Sequence, residues 1–203
     1  MRCFIALSLP AGAKIELEGI AASYRRRLGA LSPRDRPTLS WIASESYHLT
    51  LVFLGEIGGT ALETAAASLD VLAGAGPIEF SFAGPGFFPP RGRSWHVLYE
   101  ALAEGARSQD AHRLLNEELV RRAREVGLPL LNPEWPEGRP FSPHITLARA
   151  KSEGAAVRLS RGSPTRRGEP ERAEAWTISR CSLFKSELRS SGAVYTELKG
   201  VDL

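Results

Sequence analysis

The chain has 203 residues, of which 43% are hydrophobic and 24% charged, and its formal net charge is +3. This composition is typical of a folded globular protein, and the length is sufficient for one domain with a buried core. The two cysteines, Cys3 and Cys181, argue against a disulfide-rich scaffold and against a cysteine zinc site. No apolar run approaches the roughly 20 residues of a membrane helix, so we expect a cytoplasmic protein that binds no membrane.

The positive charge is carried almost entirely by arginine, because only four of the 26 basic residues are lysines. The planar guanidinium group of arginine can make paired hydrogen bonds to a phosphate. Genome base composition explains the same bias equally well. The charge therefore permits a partner such as RNA without demanding one.

The first half of the chain predicts two helices among several strands. A strand over residues 2–9 is followed by a helix over residues 11–30, which begins after Pro10. A short strand is expected at TLSWIA, a longer one at YHLTLVFLGE, and a second helix at TALETAAASLDVLAG. Two further strands, IEFSFAG and SWHVLYEAL, are separated by the turn-rich segment PGFFPPRGR.

The second half contains the clearest predicted helix, residues 105–126, whose inward-facing residues include Val126. A strand that contains His144 follows, and after it a short helical piece. The remaining predicted elements are a loop at 160–172 and strands at about 174–184 and 193–199.

Strands in hairpins with intervening helices indicate an α+β fold rather than a regular alternation of strand and helix. Two strands with the same polar pattern occupy similar positions in the two halves. We therefore expect two antiparallel sheets with flanking helices, arranged as two lobes of one domain over residues 1–203. The two patterned strands should meet at a central cleft between the lobes.

The first patterned strand is YHLTLVFLGE, in which polar residues alternate with aliphatic ones. Successive side chains of a strand point to opposite faces. His48 and Thr50 should therefore lie on one face, and Leu49, Leu51 and Phe53 on the other.

The segment PFSPHITLARA repeats the arrangement with His144 and Thr146. Two such strands facing each other would line a pocket with two imidazoles and two hydroxyls. Imidazole exchanges a proton near neutral pH, so one histidine can act as a base and the other as an acid. The hydroxyls can donate hydrogen bonds to the oxygens on which charge develops. The set suits in-line displacement at phosphorus without a metal.

The motifs HLTL and HITL resemble the paired HxTx motifs of the 2H phosphoesterase superfamily. The closer similarity is to its RNA 2′,3′-cyclic phosphodiesterase branch, which is 2′-5′ RNA ligase-like. The segments RCFIALSLP, SLFKSEL and GAVYTEL resemble the first and last strands of that branch. The likeness therefore covers nearly the whole chain.

This resemblance implies a bilobed fold with pseudo-twofold symmetry that hydrolyses an RNA 2′,3′-cyclic phosphate to a 2′-phosphate, with no metal and no cofactor. By the resemblance, His48 is the proton donor to the departing 3′ oxygen and His144 is the base that activates water. Thr50 and Thr146 match the threonines that hold the phosphate oxygens. Arg149 matches a basic residue expected near the substrate phosphates.

The implied partner is RNA with a 2′,3′-cyclic phosphate end, such as a tRNA fragment, bound by a monomer. Two alternatives use the same chemistry, namely a 2′-5′ RNA ligase and a phosphodiesterase acting on a small cyclic nucleotide. A third belongs to another class, a protein that binds cyclic-phosphate ends without turnover. The two proton carriers argue against that third alternative.

Other candidate residues have weaker claims. His96 and His112 fit structural or surface positions better than a site. Phe87 and Phe88 could stack on a base at the cleft rim or belong to the core. The arginine-rich segment 160–172 could attract an RNA backbone electrostatically.

Overall fold

The structure is a computed structural model that describes residues 1–30, 38–88, 94–104, 107–128, 141–150, 157–158, 175–189 and 192–203. Within this part of the chain most strands belong to two antiparallel sheets, and the helices flank them. None of the described helices has the length and apolar character needed to cross a bilayer. The predicted α+β fold with two antiparallel sheets is confirmed.

The first sheet has four strands and defines the first lobe. In order across the sheet they are β11 (Gly192–Asp202), β10 (Arg180–Arg189), β1 (Arg2–Ser8) and β3 (His48–Glu56). The central strand β1 is buried from Cys3 to Leu7, because both of its faces are covered. Strand β3, which carries His48, lies at the edge of this sheet.

The second sheet has five strands and defines the second lobe. In order they are β2 (Leu39–Trp41), β7 (His144–Ala150), β6 (Val97–Glu104), β4 (Ile78–Phe88) and β9 (Trp176–Ile178). Two further short strands, β5 (Ser94–Trp95) and β8 (Val157–Arg158), pair with each other.

Two long helices connect the lobes. Helix α1 (Ala11–Gly29) follows β1 of the first sheet but packs on the second, where Tyr24 donates a hydrogen bond to the buried carboxylate of Glu100 on β6. Helix α3 (Arg107–Glu125) follows β6 of the second sheet but packs against β3 of the first. Each lobe is therefore covered by a helix that begins beside the other lobe.

The buried residues of α1 recur at the three- and four-residue spacing of a helix, whereas Ile15, an apolar residue of the same helix, is exposed. The buried residues are Ala13, Leu17, Ala21, Tyr24 and Leu28. The shorter α2 (Thr60–Ser68) continues as a 3₁₀ turn over Leu69–Leu72 and packs against α3.

The two histidine strands meet at the boundary between the sheets. Cα atoms of β3 and β7 approach within 8 Å of one another, although the two strands belong to different sheets. The predicted meeting of the two strands between the lobes is thus a feature of the fold.

Several details differ from the sequence prediction. Strand β4 continues through Pro85 to Phe88, where a turn was predicted, because these residues pair with β6. Val126 is 51% exposed rather than inward, because α3 has ended at Glu125. The strand predicted at 174–184 is divided at Ser179, so that β9 joins the second sheet and β10 the first. The predicted helical piece after β7 and the 160–172 loop lie outside the described residues.

Candidate active site

Both histidines stand at the first residue of their strands, and both strands carry a β-bulge at the same distance from the histidine. Pairing of β1 with β3 passes from Ala6–Thr50 to Ile5–Val52 and leaves Leu51 unpaired. Pairing of β6 with β7 passes from Tyr99–Thr146 to Leu98–Ala148 and leaves Leu147 unpaired. A bulge at the third residue after each histidine is therefore common to the two lobes.

The bulge reverses the alternation of side chains along β3, because two residues of the bulged strand oppose one on its partner. Val52 consequently joins the buried face, and Phe53 is 54% exposed. Phe53 pairs with Phe4, whose ring also contacts His48. The prediction that Phe53 lies on the face of Leu49 and Leu51 is wrong, since Phe53 shares the face of His48.

The two imidazoles are held by identical hydrogen bonds. Nδ1 of His48 lies 2.7 Å from the carbonyl oxygen of Ser46, and Nδ1 of His144 lies 2.7 Å from the carbonyl oxygen of Ser142. A carbonyl only accepts, so Nδ1 is the protonated nitrogen in both rings. Nε2 of each neutral ring therefore has a free lone pair, as a general base requires. Nε2 is also the atom from which a protonated ring would donate its proton as an acid.

Each imidazole also lies against one phenylalanine and one tyrosine. His48 contacts Phe4 at 4.8 Å and Tyr195 at 5.2 Å between ring centroids. His144 contacts Phe88 at 4.9 Å and Tyr99 at 5.0 Å. Rings packed in this way restrict the rotation of each imidazole and reduce its contact with water.

The Tyr99 ring lies over Gly86 of the neighbouring strand, to which Tyr99 is paired. A Cβ atom added at Gly86 would overlap that ring. Glycine at this position thus allows Tyr99 to reach His144.

Burial lowers the pKa of both histidines. The pKa of His48 falls to about 4, chiefly through burial and further through the positive charges of Arg149, Lys14 and His144, while the Ser46 carbonyl opposes the shift. Burial and the charge of Arg149 also lower the pKa of His144, while the hydrogen bond to the Ser142 carbonyl opposes this shift. Both rings are therefore neutral at pH 7 in the ligand-free protein.

Arg149 is an exposed residue of β7, five positions after His144. Its charge lowers the pKa of both histidines, and it also opposes the rise that burial causes in the pKa of Tyr195 on β11. A guanidinium group that acts on side chains of both lobes is close to both. The structure thus brings together His48, His144 and Arg149.

Thr50 and Thr146 are half-buried and share the faces of their histidines, two residues along each strand. Across the sheets they pair with Ala6 and Tyr99. Within the part of the chain that the structure describes, no hydrogen bond engages either threonine hydroxyl. Among the described residues, none therefore competes with a ligand for either hydroxyl.

The remaining candidates have structural positions. His112 is buried on α3 and stacks on Phe141 at 4.4 Å, and His96 is an exposed residue between β5 and β6. Phe87 packs against the core, whereas Phe88 lies beside His144. No three His, Cys, Asp or Glu side chains in the described ranges are grouped as metal ligands.

Sequence reasoning did not find the carbonyls of Ser46 and Ser142 or the two tyrosines. A signal for the carbonyls was present, since SYHLT and SPHIT both place a serine two residues before the histidine. No comparable signal marks Tyr195, which is brought to His48 from the last strand of the chain.

Similarity to known proteins identifies the family of this chain. A family model described as the 2′-5′ RNA ligase superfamily matches residues 22–188. The chain is 33% identical to a protein of Thermus thermophilus named RNA 2′,3′-cyclic phosphodiesterase, over 100% of this chain and 90% of that protein. It is 27% identical to a protein of the same name from Methanothermobacter thermautotrophicus, over 98% and 97% of the two chains.

Solved structures show the same fold. A crystal structure of a Thermus thermophilus protein has a TM-score of 0.67 and 27% identity, covering 100% of this chain and 98% of that one. LigT of E. coli without ligand has a TM-score of 0.64 and 24% identity over 99% and 96% of the chains, which is a likeness of fold. The chain therefore belongs to the 2′-5′ RNA ligase superfamily, and the resemblance to 2H phosphoesterases predicted from its paired motifs is confirmed.

Proposed function

We propose that this protein hydrolyses RNA 2′,3′-cyclic phosphate ends to 2′-phosphate ends by acid–base catalysis with two histidines. The observation that carries the proposal is the matched pair of imidazoles, each with Nδ1 on a serine carbonyl and with Nε2 available for proton transfer. The strands that hold them belong to different sheets and approach within 8 Å of one another. Relatives named RNA 2′,3′-cyclic phosphodiesterase support the choice of substrate.

In the proposed reaction a water molecule attacks the phosphorus of the cyclic phosphate while Nε2 of His144 takes one of its protons. The bond from phosphorus to the 3′ oxygen breaks, and that oxygen receives a proton from Nε2 of His48. The products are a 2′-phosphomonoester and a free 3′ hydroxyl, and proton exchange with solvent restores both histidines. Each proton transfer is general acid–base catalysis, which is typically worth about 10² to 10⁴ in rate.

His48 must carry a proton to act as the acid, although it is neutral at pH 7 in the ligand-free protein because its pKa is about 4. An anionic phosphodiester bound next to the ring favours the charged imidazolium and so raises this pKa. Binding of substrate thereby favours the protonated form of His48, which can act as the acid. We expect the pH profile of kcat to lie at higher pH than that of kcat/KM, since the first reports the complex and the second the free protein.

Thr50 and Thr146 would donate hydrogen bonds to the non-bridging oxygens, on which negative charge develops in the transition state. Arg149, whose charge already acts on both histidines, would contact the phosphate or its neighbour. Arginine suits this role because its planar group can make two parallel hydrogen bonds to phosphate oxygens.

The proposal is tested by incubating the purified protein with an oligoribonucleotide that ends in a 2′,3′-cyclic phosphate. The expected product has a 2′-phosphate, and its formation persists in EDTA. A 3′-phosphate product, or activity that chelation abolishes and zinc restores, would contradict the proposed reaction. Binding without turnover would instead support the non-catalytic alternative.

The description of the matching family favours one second function, the joining of RNA ends through a 2′-5′ linkage. A 5′ hydroxyl would replace water as the nucleophile, and His144 would take its proton in the same way. Adding an RNA with a 5′ hydroxyl to the same assay separates the two functions. Formation of joined RNA, with a matching decrease in the amount of 2′-phosphate product, would favour ligation.

A further inference from the structure

Helix α1 makes two polar contacts with the segment that precedes His48. Nζ of Lys14 donates a hydrogen bond to the carbonyl oxygen of Glu45 at 3.0 Å. The hydroxyl of Tyr47 donates to the carboxylate of Glu18, also at 3.0 Å. Lys14 and Glu18 are four residues apart, so they lie on the same face of the helix.

These contacts flank the residue that orients the histidine. Ser46 lies between Glu45 and Tyr47, and its carbonyl oxygen accepts the Nδ1–H of His48 at 2.7 Å. With a fixed residue on each side, this carbonyl has little freedom to turn away. Tyr47 is almost completely buried, at 2% exposure, which adds to the constraint.

We propose that Lys14 and Glu18 are positioning residues for His48, which hold the Ser46 carbonyl so that Nε2 of His48 faces the cleft. This inference rests on the proposed function and identifies what supports its acid. Neither residue needs to touch the RNA. A carbonyl held in place fixes the tautomer and orientation of the imidazole, and a small misplacement of a catalytic group costs much of its rate contribution.

The contacts of the second lobe are of another kind. In the segment before His144, the carbonyl of Pro143 accepts a hydrogen bond from the backbone N–H of Leu102 at 3.1 Å. Phe141 stacks on His112 of α3 at 4.4 Å with the rings 12° from parallel. Among the described residues, the first lobe therefore uses a lysine and a carboxylate where the second uses a backbone hydrogen bond and stacked rings. Lys14 also adds charge, since it lowers the pKa of His48 together with Arg149 and His144. Among the described residues, the ring of Tyr195 also contacts His48.

The inference is tested without substrate, by nitrogen NMR of the imidazole rings in the ligand-free protein at pH 8. His48 should be the Nδ1–H tautomer, and in Lys14→Met and Tyr47→Phe it should become a mixture with the Nε2–H tautomer. Tyr47→Phe removes the Glu18 contact without a change of charge, so a shift in both variants identifies positioning. Lys199→Met is the matched control, because Lys199 binds Asp70 on the surface, and it should leave the tautomer unchanged.

A kinetic measurement complements the spectrum. Lys14→Met should lower kcat about tenfold while KM changes by no more than about twofold, and Lys14→Arg should restore most of kcat. An unchanged tautomer in both variants would overturn the inference, as would a Lys14→Met variant that raised KM alone. Because the tautomer is read in the absence of RNA, its result does not depend on whether the proposed reaction is correct.

Discussion

His48 and His144 have the same hydrogen bond, the same kinds of ring contact and the same bulge, but they differ in a residue further along each strand. Both rings bind a serine carbonyl through Nδ1 at 2.7 Å, both lie against a phenylalanine and a tyrosine, and both strands bulge at the third residue after the histidine. The fifth residue after the histidine, in contrast, is Phe53 in the first lobe and Arg149 in the second.

This comparison separates two kinds of feature. The matched ones fix the position and tautomer of a proton carrier, which both halves of an acid–base pair require. The unmatched ones place the cationic group on the second lobe, from which Arg149 acts on both rings. The two lobes thus provide similar proton carriers in different electrostatic settings.

The comparison predicts equal and large losses when either proton carrier is removed. His48→Ala and His144→Ala should each reduce turnover of the cyclic phosphate by about 10² to 10⁴, because each removes one proton transfer. Steady-state kinetics measures the loss, and circular dichroism checks that each variant is folded. If one variant kept wild-type turnover, the proposed division of labour between the lobes would be wrong.

The threonines provide the next largest expected effect. Thr50→Val and Thr146→Val keep the shape of the side chain but remove its hydroxyl, so each should lower kcat by roughly 10²-fold. Thr196→Val, at an exposed position on β11, is the matched control and should leave kcat unchanged. A large effect of only one of the two substitutions would contradict the proposal that both threonine hydroxyls stabilise the transition state.

The lowered pKa values make stability depend on pH. Below about pH 6.5 these histidines bind protons more readily in the unfolded chain than in the folded one. The folded protein therefore loses stability as the pH falls from about 6.5 through about 4. For His48 the loss reaches about 3 kcal/mol by pH 4. Urea unfolding at several pH values should show a smaller acid-side loss in His48→Gln than in the natural protein. Parallel pH curves for the two proteins would mean that His48 is not buried as described.

The smallest predicted effect concerns the ring that supports His144. In Gly86→Ala the new methyl group overlaps the Tyr99 ring and displaces it from His144, at a cost of about 1 to 3 kcal/mol in stability. Thermal unfolding measures the cost, and NMR shows whether the His144 resonances shift while those of His48 stay. Shifts confined to His48 would contradict the separate support of the two rings.

The sequence was informative where a pattern is local. The strand of His48 and the helix α1 follow from alternation and helical spacing, and their bounds agree with the structure within a residue. The strand that contains His144 was predicted without bounds and is present as β7. The paired HxT motifs also indicated the family, which the comparisons confirm. These features depend on residues close together in the chain.

Features that depend on tertiary contacts could not be predicted. Phe53 faces His48 only because Leu51 bulges out of the pairing with β1. Residues such as Gly86 are typical of a turn, yet they extend β4 because they pair with β6. Tyr195 of β11 contacts His48 of β3 although two strands, β10 and β1, lie between them in the sheet, and no local pattern reveals this contact.

The central claim is that both imidazoles act on one phosphorus, and titration with adenosine 2′-phosphate, the chemical class of the proposed product, tests it most directly. Nitrogen NMR during the titration should show the Nε2 resonances of His48 and His144 changing together, with one dissociation constant and one nucleotide per chain, while both pKa values rise. A nucleotide that shifts only one ring, or shifts the two with different dissociation constants, would contradict the account.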